Sequence, residues 1–257
     1  MDLQRINQLF SLEGRTAIVT GGTRGIGMAI AEGFVDAGAT VVVASRKTAA
    51  VDEAVDRLRA RGGSATGVTA NMGDLADVRG IVDATINEHG KIDIVVNNAA
   101  TALSLPLGEL TAEAWAKVHD VNLRGPVFLV EAALPHLTAS THASIINVIS
   151  AGAFLPSPAM AMYSGTKVAL LAFTRTMAAD FAGRGIRVNA LAPGTVETDM
   201  VMNNSLEAQQ RMANACFMRR MASPEEMVGP ALFLASDASS YVTGQVVIAD
   251  GGLVVAR

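Results

Sequence analysis

Short apolar runs alternate along the chain with longer stretches in which apolar residues recur at helical spacing. The short runs are rich in Val and Ile and lack polar alternation, which is typical of strands covered on both faces. The predicted strands are Thr16–Thr20, Thr40–Ala44, Ala65–Ala70, Ile92–Asn97, Ser144–Ile149, Arg187–Ala192 and Gln245–Ala249. This pattern predicts a sheet of about seven buried strands.

Helical periodicity fills the intervals between these strands, and several predicted helices stop at a glycine, a common C-terminal signal. The predicted helices are Gly25–Ala37, Ala49–Arg61, Asp74–His89, Thr111–Ala139, Tyr163–Ala182 and Pro224–Ala235. The longest of them contains Gly125-Pro126, where we expect a local break. Regular β-α alternation indicates an α/β fold, a doubly wound parallel sheet of the Rossmann type with helices on both faces.

The length of the chain and one polar interruption suggest its domain organisation. A chain of 257 residues is short enough for one α/β domain, so we expect a single domain over residues 1–257. Residues 197–223 are polar and rich in methionine, and they separate the sixth strand from the last helix. We interpret this segment as a lid.

Composition excludes several classes of protein. The net charge of −4 argues against a strongly basic nucleic-acid binder and gives no electrostatic reason for binding an anionic membrane. No apolar run approaches the ~18 residues of a membrane span, and residues 1–15 lack the apolar region of a signal peptide, so a cytoplasmic protein is expected. The single cysteine and four unclustered histidines predict no metal site.

A glycine-rich turn, TGGTRGIG from Thr20 to Gly27, links the first strand to the first predicted helix. Glycine allows a tight turn and a close approach of the backbone to a ligand. The helix that follows presents free N–H groups and the positive end of its dipole to a pyrophosphate. Such a turn is weak evidence alone, but in the first β-α connection of a doubly wound sheet it indicates dinucleotide binding.

The spacing of these glycines resembles the cofactor loop of the short-chain dehydrogenase/reductase family. Further motifs of that family follow in order: Asn97-Asn98-Ala99-Ala100, Asn122, Ser150, Tyr163-x-x-x-Lys167, Pro193-Gly194 with Thr198, and Asp250-Gly251-Gly252. Ser150 precedes Tyr163 by 13 positions, a usual interval in the family. The resemblance covers the chain from about Leu12 to Gly252.

Tyr163 and Lys167 are four positions apart and therefore share one face of a helix. A free tyrosine titrates near ~10, and we expect the neighbouring ammonium to lower that pKa until Tyr163 can act as an acid or base. An isolated pair at this spacing is more often an ordinary surface pair, but Ser150 and the glycine loop favour catalysis. The Ser150 hydroxyl would bind the substrate oxygen. The resemblance implies that Asn122 bends its helix and holds a water linked to Lys167.

The residues about 20 positions beyond the glycine loop favour NADP(H) over NAD(H). NAD sites usually have an acid there, which binds the ribose 2′-hydroxyl. Here Ser45-Arg46-Lys47 stand at that place, and residues 37–51 contain no carboxylate. A guanidinium would hold a 2′-phosphate, and Arg24 could reach the same group. The alternative interpretation is that Arg46 and Lys47 only solvate the end of a strand, which leaves NAD(H) as a second candidate cofactor.

The resemblance implies further cofactor contacts. The side-chain oxygen of Asn71 would accept from the adenine amino group and Met72 would pack against the base. Lys167 would bind the nicotinamide ribose, while the Val196 backbone and Thr198 would bind the carboxamide. The full set of expected cofactor residues is Gly21, Thr23, Arg24, Gly25, Ile26, Gly27, Ser45, Arg46, Lys47, Asn71, Met72, Asn98, Ala99, Ala100, Tyr163, Lys167, Pro193, Gly194, Val196 and Thr198.

These motifs predict an NADP(H)-dependent oxidoreductase that interconverts a ketone or aldehyde and a secondary alcohol. Enoyl reductases of the family have a wider Tyr-to-Lys spacing, whereas only three residues intervene here, so carbonyl chemistry is favoured. An apolar carbonyl substrate is expected from the residues Phe154, Met160, Met162, Met200 and Met202. The alternatives are an NAD-dependent sugar-acid or other alcohol dehydrogenase of the same family, which the segment Leu9–Gly21 resembles, and a non-catalytic NADPH-binding regulator.

A homotetramer is expected as well. Charged residues make up 17% of the chain, against about 25% in an average soluble protein, so some apolar surface should lie in a subunit interface. Family members pair subunits through the two long helices. The expected contacts are Leu123, Val127, Val130, Leu170, Leu171 and Phe173.

Overall fold

A computed structural model describes residues 2–254 and contains a seven-stranded, entirely parallel sheet. The strands are β1 (Thr16–Thr20), β2 (Thr40–Ser45), β3 (Ala65–Thr69), β4 (Ile94–Asn97), β5 (Ser144–Val148), β6 (Arg187–Pro193) and β7 (Val246–Ala249). Their order is β3-β2-β1-β4-β5-β6-β7. The predicted α/β fold is therefore confirmed, and each predicted strand is present with its ends moved by at most two residues.

Helices connect the strands. They are α1 (Leu3–Phe10), α2 (Gly25–Asp36), α3 (Thr48–Ala60), α4 (Leu75–His89), α5 (Ala112–His119), α6 (Gly125–Ala139), α7 (Ala161–Phe181), α8 (Asp199–Met202), α9 (Leu206–Ala215) and α10 (Val228–Ala235). The sequence pattern missed α1, which buries none of its residues, and it gave no helices for the segment that holds α8 and α9. None of the helices within residues 2–254 is both long enough and apolar enough to span a membrane.

The two faces of the sheet bury separate apolar layers. Ala17 and Val19 of β1 face one layer together with Phe34 of α2, and Ile18 faces the other together with Ile81 of α4. All five side chains are buried. Helices α2, α3 and α10 supply the first layer, and α4, α6 and α7 supply the second. Burial on both faces explains why the strands have continuous apolar runs.

The strand order locates a crevice at the carboxyl edge of the sheet. From β1 the chain proceeds outward to β2 and β3 and then returns to place β4 on the other side of β1. At such a reversal the connections leave β1 and β4 toward opposite faces, and ligands bind in the gap between them. The glycine-rich turn follows β1 and the Asn98-Ala99-Ala100 loop follows β4, so both motifs lie at this crevice.

The long helix predicted over Thr111–Ala139 is interrupted just before Gly125-Pro126, where a break was expected, rather than at these two residues. The chain forms α5, then a π-helical turn over Asp120–Arg124, and then α6. The irregular turn precedes Gly125-Pro126, which are the first two residues of α6. A Cβ on Gly125 would lie 2.1 Å from the carbonyl oxygen of Met72, so this glycine permits contact with the loop after β3 rather than a break.

Half of the expected subunit contacts are wrong. Val130, Leu170 and Leu171 lie in the apolar core and are at most 7% exposed, so they cannot meet a partner. Leu123 and Val127 are half-buried. Phe173 is exposed as expected, and so are Val168 on the same helix, α7, and Phe128 on α6. The helical pattern identified apolar residues but not which face each helix turns toward the sheet.

Candidate active site

A cleft opens at the carboxyl ends of β1, β2, β4, β5 and β6. Its lining includes all the expected cofactor and catalytic residues except Lys47 and Asn122. The lining residues that sequence reasoning missed are Ala44, Ala70, Thr101, Val121, Val148, Ile149, Asp199 and Val201, whereas Met200 was expected at the apolar rim. Most of these are apolar neighbours of the motifs, and they carry no motif of their own.

Asn98 holds the glycine-rich turn in place. Its Nδ2 donates to the carbonyl oxygens of Thr20 and Gly21 at 2.8 and 3.2 Å. Thr20 Oγ1 in turn accepts from the backbone N–H groups of Asn98 and Ala99, each at 3.1 Å. These bonds tie the turn after β1 to the loop after β4, so the first turn of α2 faces the cleft with a fixed geometry.

Two glycines of this turn are required by conformation and by space. Gly25 has φ of +52°, in the left-handed region that L residues rarely adopt. A Cβ on Gly27 would lie 2.2 Å from the carbonyl oxygen of Gly21 and 2.3 Å from Asn98 Nδ2. The N–H groups at the start of α2 therefore stay accessible from the cleft and can bind an anion.

Ser150, Tyr163 and Lys167 meet in the cleft beside the carboxyl end of β5. Ser150 lies two residues beyond β5, where its Oγ accepts from the backbone N–H of Gly152 at 3.1 Å. Its hydroxyl lies near enough to that of Tyr163 to lower the pKa of the tyrosine. Lys167 is fully buried on α7, its Nζ donates to the carbonyl oxygen of Val148 at 2.8 Å, and it lies 5.5 Å from the centre of the Tyr163 ring.

The expected lowering of the Tyr163 pKa is wrong for this structure. Burial raises the pKa of Tyr163 above its ordinary value, and the nearby Ser150 hydroxyl offsets this only in part. Burial also lowers the pKa of Lys167 to about 8. The expected ammonium is thus itself desolvated and easily neutralised. The tyrosine is therefore protonated near neutral pH, which makes it an available proton donor.

Comparisons with known proteins agree with this geometry. A family model described as Enoyl-(Acyl carrier protein) reductase matches residues 21–254. A relative from Arabidopsis thaliana, "Short-chain dehydrogenase/reductase SDRA", is 40% identical over 245 residues, which cover 94% of this chain and 95% of the relative. The chain belongs to the short-chain dehydrogenase/reductase family. The family predicted from the motifs is thereby confirmed, and with it an oxidoreductase.

Two further relatives indicate how wide this family is. "Dehydrogenase/reductase SDR family member 4" of Homo sapiens is 38% identical, over 94% of this chain and 88% of the relative. A crystal structure of a gluconate 5-dehydrogenase from Burkholderia cenocepacia, in complex with NADP and tartrate, superposes with a TM-score of 0.91 at 35% identity. That alignment covers 96% of this chain and 98% of the other.

The short-chain dehydrogenase/reductase motif residue Asn122 lies beneath the cleft rather than in its wall. It belongs to the π-helical turn and is completely buried. Its Oδ1 accepts from the backbone N–H of Thr101 at 2.8 Å, and its Nδ2 donates to the Thr101 carbonyl oxygen and to Thr166 Oγ1. The side chain thus fixes the loop after β4 against α7, and it makes no direct hydrogen bond to Lys167 among the described residues.

Several expected cofactor contacts of this family member are engaged elsewhere. Lys47 is exposed, precedes α3 and does not line the cleft, although it directly follows Arg46, which does. Asn71 lines the cleft, but its Oδ1 already accepts from the backbone N–H of Gly73 at 3.1 Å. Met72 also lines the cleft, but it is only 5% exposed because most of its side chain packs in the core. Arg46 is exposed in the cleft wall as expected.

The loop after β6 packs against the loop after β7 and against the glycine-rich turn, where the family motif implies that the nicotinamide binds. A Cβ on Gly194 would lie 2.7 Å from the Cα of Asp250, so glycine is needed where two loops cross. Val196 bridges to Ala222, and Thr198 Cγ2 lies 3.1 Å from the position of a Cβ on Gly25. The residues after β6 therefore lie directly against the glycine-rich turn.

The expected apolar rim is only partly correct. Met200 lines the cleft, joined by Val201. Met162 is 3% exposed and belongs to the interior of α7, because a buried helix face uses methionine as packing material. Met160, Met202 and Phe154 lie outside the cleft lining.

Within residues 2–254, no three His, Cys, Asp or Glu side chains are grouped so as to hold a metal ion.

Proposed function

We propose that this protein is an NADP(H)-dependent oxidoreductase that interconverts a ketone or aldehyde and a secondary alcohol. One observation carries the proposal: Ser150, Tyr163 and Lys167 share a single cleft with the glycine-rich turn. A dinucleotide bound across the turn, from Arg46 after β2 toward the residues after β5, would bring its reactive end to these three residues.

The reaction uses each residue in a different way. Tyr163, kept protonated by its raised pKa, donates a proton to the carbonyl oxygen. The Ser150 hydroxyl, held by the N–H of Gly152, orients that oxygen. Lys167 places positive charge near the phenolate that remains after proton transfer. When bound, the nicotinamide supplies the hydride to the carbonyl carbon, and the reverse transfer oxidises the alcohol.

The preference for NADP(H) rests on charge. Arg46 lines the cleft at the end of β2, where a carboxylate would be needed to bind a ribose 2′-hydroxyl. Among residues 2–254, Arg46 has no carboxylate within 4.0 Å, so its guanidinium is available to a 2′-phosphate. The NADP in the Burkholderia cenocepacia relative supports the same choice.

Carbonyl reduction fits the site better than reduction of a carbon–carbon double bond. The description of the matching family model mentions enoyl reductases, but here three residues separate Tyr163 from Lys167. The hydroxyls of Tyr163 and Ser150 also share the cleft, an arrangement suited to binding one carbonyl oxygen. Met200 and Val201 in the cleft wall support a partly apolar substrate.

A sugar acid is the alternative substrate. The observation in its favour is the similarity to the gluconate 5-dehydrogenase that was crystallised with tartrate. Thr101 and Ser150 supply polar groups at the substrate end of the cleft, which a polyhydroxy compound could use. A panel of ketones, keto esters and sugar acids, each assayed with NADPH or NADP+, separates the two substrate classes.

The segment 197–223 is proposed to act as a lid, and the assembly is proposed to be a homotetramer. Met200 and Val201 extend from this segment into the cleft wall, which supports the first proposal. Phe128, Val168 and Phe173 are 40–48% exposed on α6 and α7, which supports the second. Light scattering at micromolar concentration tests the assembly, and a monomer would reject it.

Substitution of Tyr163 by Phe tests the reaction. Tyr163→Phe keeps the ring and its packing but removes the proton donor, so turnover should fall ~10²–10⁴-fold. NADPH affinity, measured by fluorescence titration, should change little. Ser150→Ala should likewise lose turnover and keep NADPH affinity. Near-wild-type ketone reduction by Tyr163→Phe would refute the mechanism, and NADPH binding without turnover of any substrate would favour the regulator.

A further inference from the structure

An ion pair spans the mouth of the cleft. Arg24 precedes the first residue of α2 in the glycine-rich turn, and Asp199 is the first residue of α8. Arg24 Nη1 donates to Asp199 Oδ2 at 2.6 Å, across 175 positions of sequence. Both residues line the cleft. The bond therefore joins the anion-binding turn to the segment that follows β6.

Asp199 stands out among the lining residues because of its charge. It is the only carboxylate among the described residues of the cleft wall. Arg24 and Arg46 are the two guanidiniums of that wall, and of these Arg24 alone has a carboxylate within 4.0 Å in the described part of the chain. Half of the guanidinium charge at the cleft surface is thus already neutralised by the protein itself.

The pair is placed so that it can be broken. The side chains of Arg24 and Asp199 are 71% and 64% exposed, so water screens their attraction and the pair is weak. A phosphate monoester carries about −1.5 to −2 charges near neutral pH and offers three acceptor oxygens. A phosphate monoester can therefore displace the Asp199 carboxylate from Arg24. It must compete with that carboxylate for the guanidinium, and the displaced carboxylate remains close enough to repel it.

We infer that Asp199 is a specificity-determining residue, which competes with the 2′-phosphate of NADP(H) for Arg24 and so limits the preference over NAD(H). The inference rests on the proposed function in one respect, that the cleft binds the dinucleotide. Asp199 weakens binding of the phosphorylated cofactor in two ways, by occupying Arg24 and by repelling the phosphate. NAD(H) has no 2′-phosphate and leaves the pair intact.

The test compares two nucleotides and four proteins by calorimetry, without turnover. NADP+ and NAD+ are titrated into the wild type, Asp199→Asn, Arg24→Gln and the double variant. Asp199→Asn keeps the shape of the side chain and removes its charge. It should raise NADP+ affinity about three- to tenfold, as expected for removing one exposed ion pair and one repulsion, and change NAD+ affinity less than about twofold. In the Arg24→Gln background the same substitution should have a smaller effect, because it then removes only the repulsion.

Glu197→Gln is the matched control. Glu197 is an exposed carboxylate two positions earlier in the same segment, and it does not line the cleft. Its neutralisation changes net charge as Asp199→Asn does, but it should leave the ratio of NADP+ to NAD+ affinity unchanged. Raising the salt concentration should reduce NADP+ affinity more steeply for Asp199→Asn than for the wild type, because more phosphate charge is then paired with Arg24.

The outcomes separate the inference from the proposed function. An affinity ratio within twofold of the wild type in Asp199→Asn overturns the inference, even if the wild type prefers NADP+. An equal rise in the Arg24→Gln background also overturns it, because the effect would not pass through Arg24. Failure of the wild type to bind either nucleotide overturns the proposed function and the inference together. A wild type without preference, in which Asp199→Asn reveals one, supports the inference alone.

Discussion

Substitution of Gly27 by Ala should damage both stability and cofactor binding. The new Cβ would lie 2.2 Å from the Gly21 carbonyl oxygen and 2.3 Å from Asn98 Nδ2, so one of these groups must move. Overpacking of this kind costs about 1–3 kcal/mol. Movement of Asn98 also breaks its hydrogen bonds to Thr20 and Gly21, at about 0.5–1.5 kcal/mol each. Alanine regains about 1 kcal/mol of helix propensity, which leaves a net loss of about 1–5 kcal/mol.

Gly80→Ala provides the matched control. Gly80 lies inside α4, and no atom is within 4 Å of the position of its Cβ. The same substitution should therefore stabilise the protein by up to about 1 kcal/mol. Urea unfolding followed by circular dichroism measures both changes, and fluorescence titration should show NADPH affinity reduced at least tenfold in Gly27→Ala alone. Equal stability and equal NADPH affinity in the two variants would refute the reasoning about the turn.

Three further substitutions test charges that the structure places. Asp93 is buried, and the bonds from Lys91, Ser140 and Thr16 hold its pKa below the ordinary value even though burial alone would raise it. Urea unfolding of Asp93→Asn should thus show about 1–3 kcal/mol less stability at pH 7. The deficit should shrink as the pH falls below about 4, because the unfolded wild type then takes up a proton that the folded carboxylate resists. Lys167→Met should reduce turnover in steady-state kinetics and NADPH affinity in titration. Because burial lowers the pKa of Lys167 to about 8, its ammonium destabilises the wild type at neutral pH, and the variant should be more stable there. That advantage should shrink between pH 8 and ~10.4, as the wild-type lysine loses its proton. Arg46→Asp should reverse the preference for NADPH over NADH in paired titrations, and an unchanged preference would remove Arg46 from the phosphate site.

The strands of this fold could be predicted because each is marked by a run of residues that are adjacent in sequence. A strand such as Thr16–Thr20 is apolar at most positions and buried at all of them, so the run itself marks the element. The glycine-rich turn and the Tyr163–Lys167 pair are equally local, and both lie in the cleft. A chain of short buried strands thus reveals its order of elements, and its motifs reveal which edge of the sheet carries the chemistry.

The remaining features depend on positions that are distant in sequence. The Tyr163 pKa is set by burial under other elements, so the neighbouring lysine alone gave the wrong direction. Arg24 and Asp199 meet only because β6 and the turn after β1 share one edge. Val130 was expected at an interface because its helix is apolar all round, and only packing shows that it faces the core. Such facts follow from tertiary structure rather than from pattern.

The strand order also dictates when the cleft comes into existence. The glycine-rich turn is complete early in synthesis, but its clamp Asn98 arrives after β4, and Val148, Tyr163 and Thr198 follow later still. The glycine-rich turn of a growing chain is therefore synthesised long before the residues that line the rest of the cleft. A dinucleotide can engage only the finished sheet, and by binding the native form alone it stabilises that form against unfolding. A bound cofactor would thus stabilise only those chains in which the two halves of the sheet have come together.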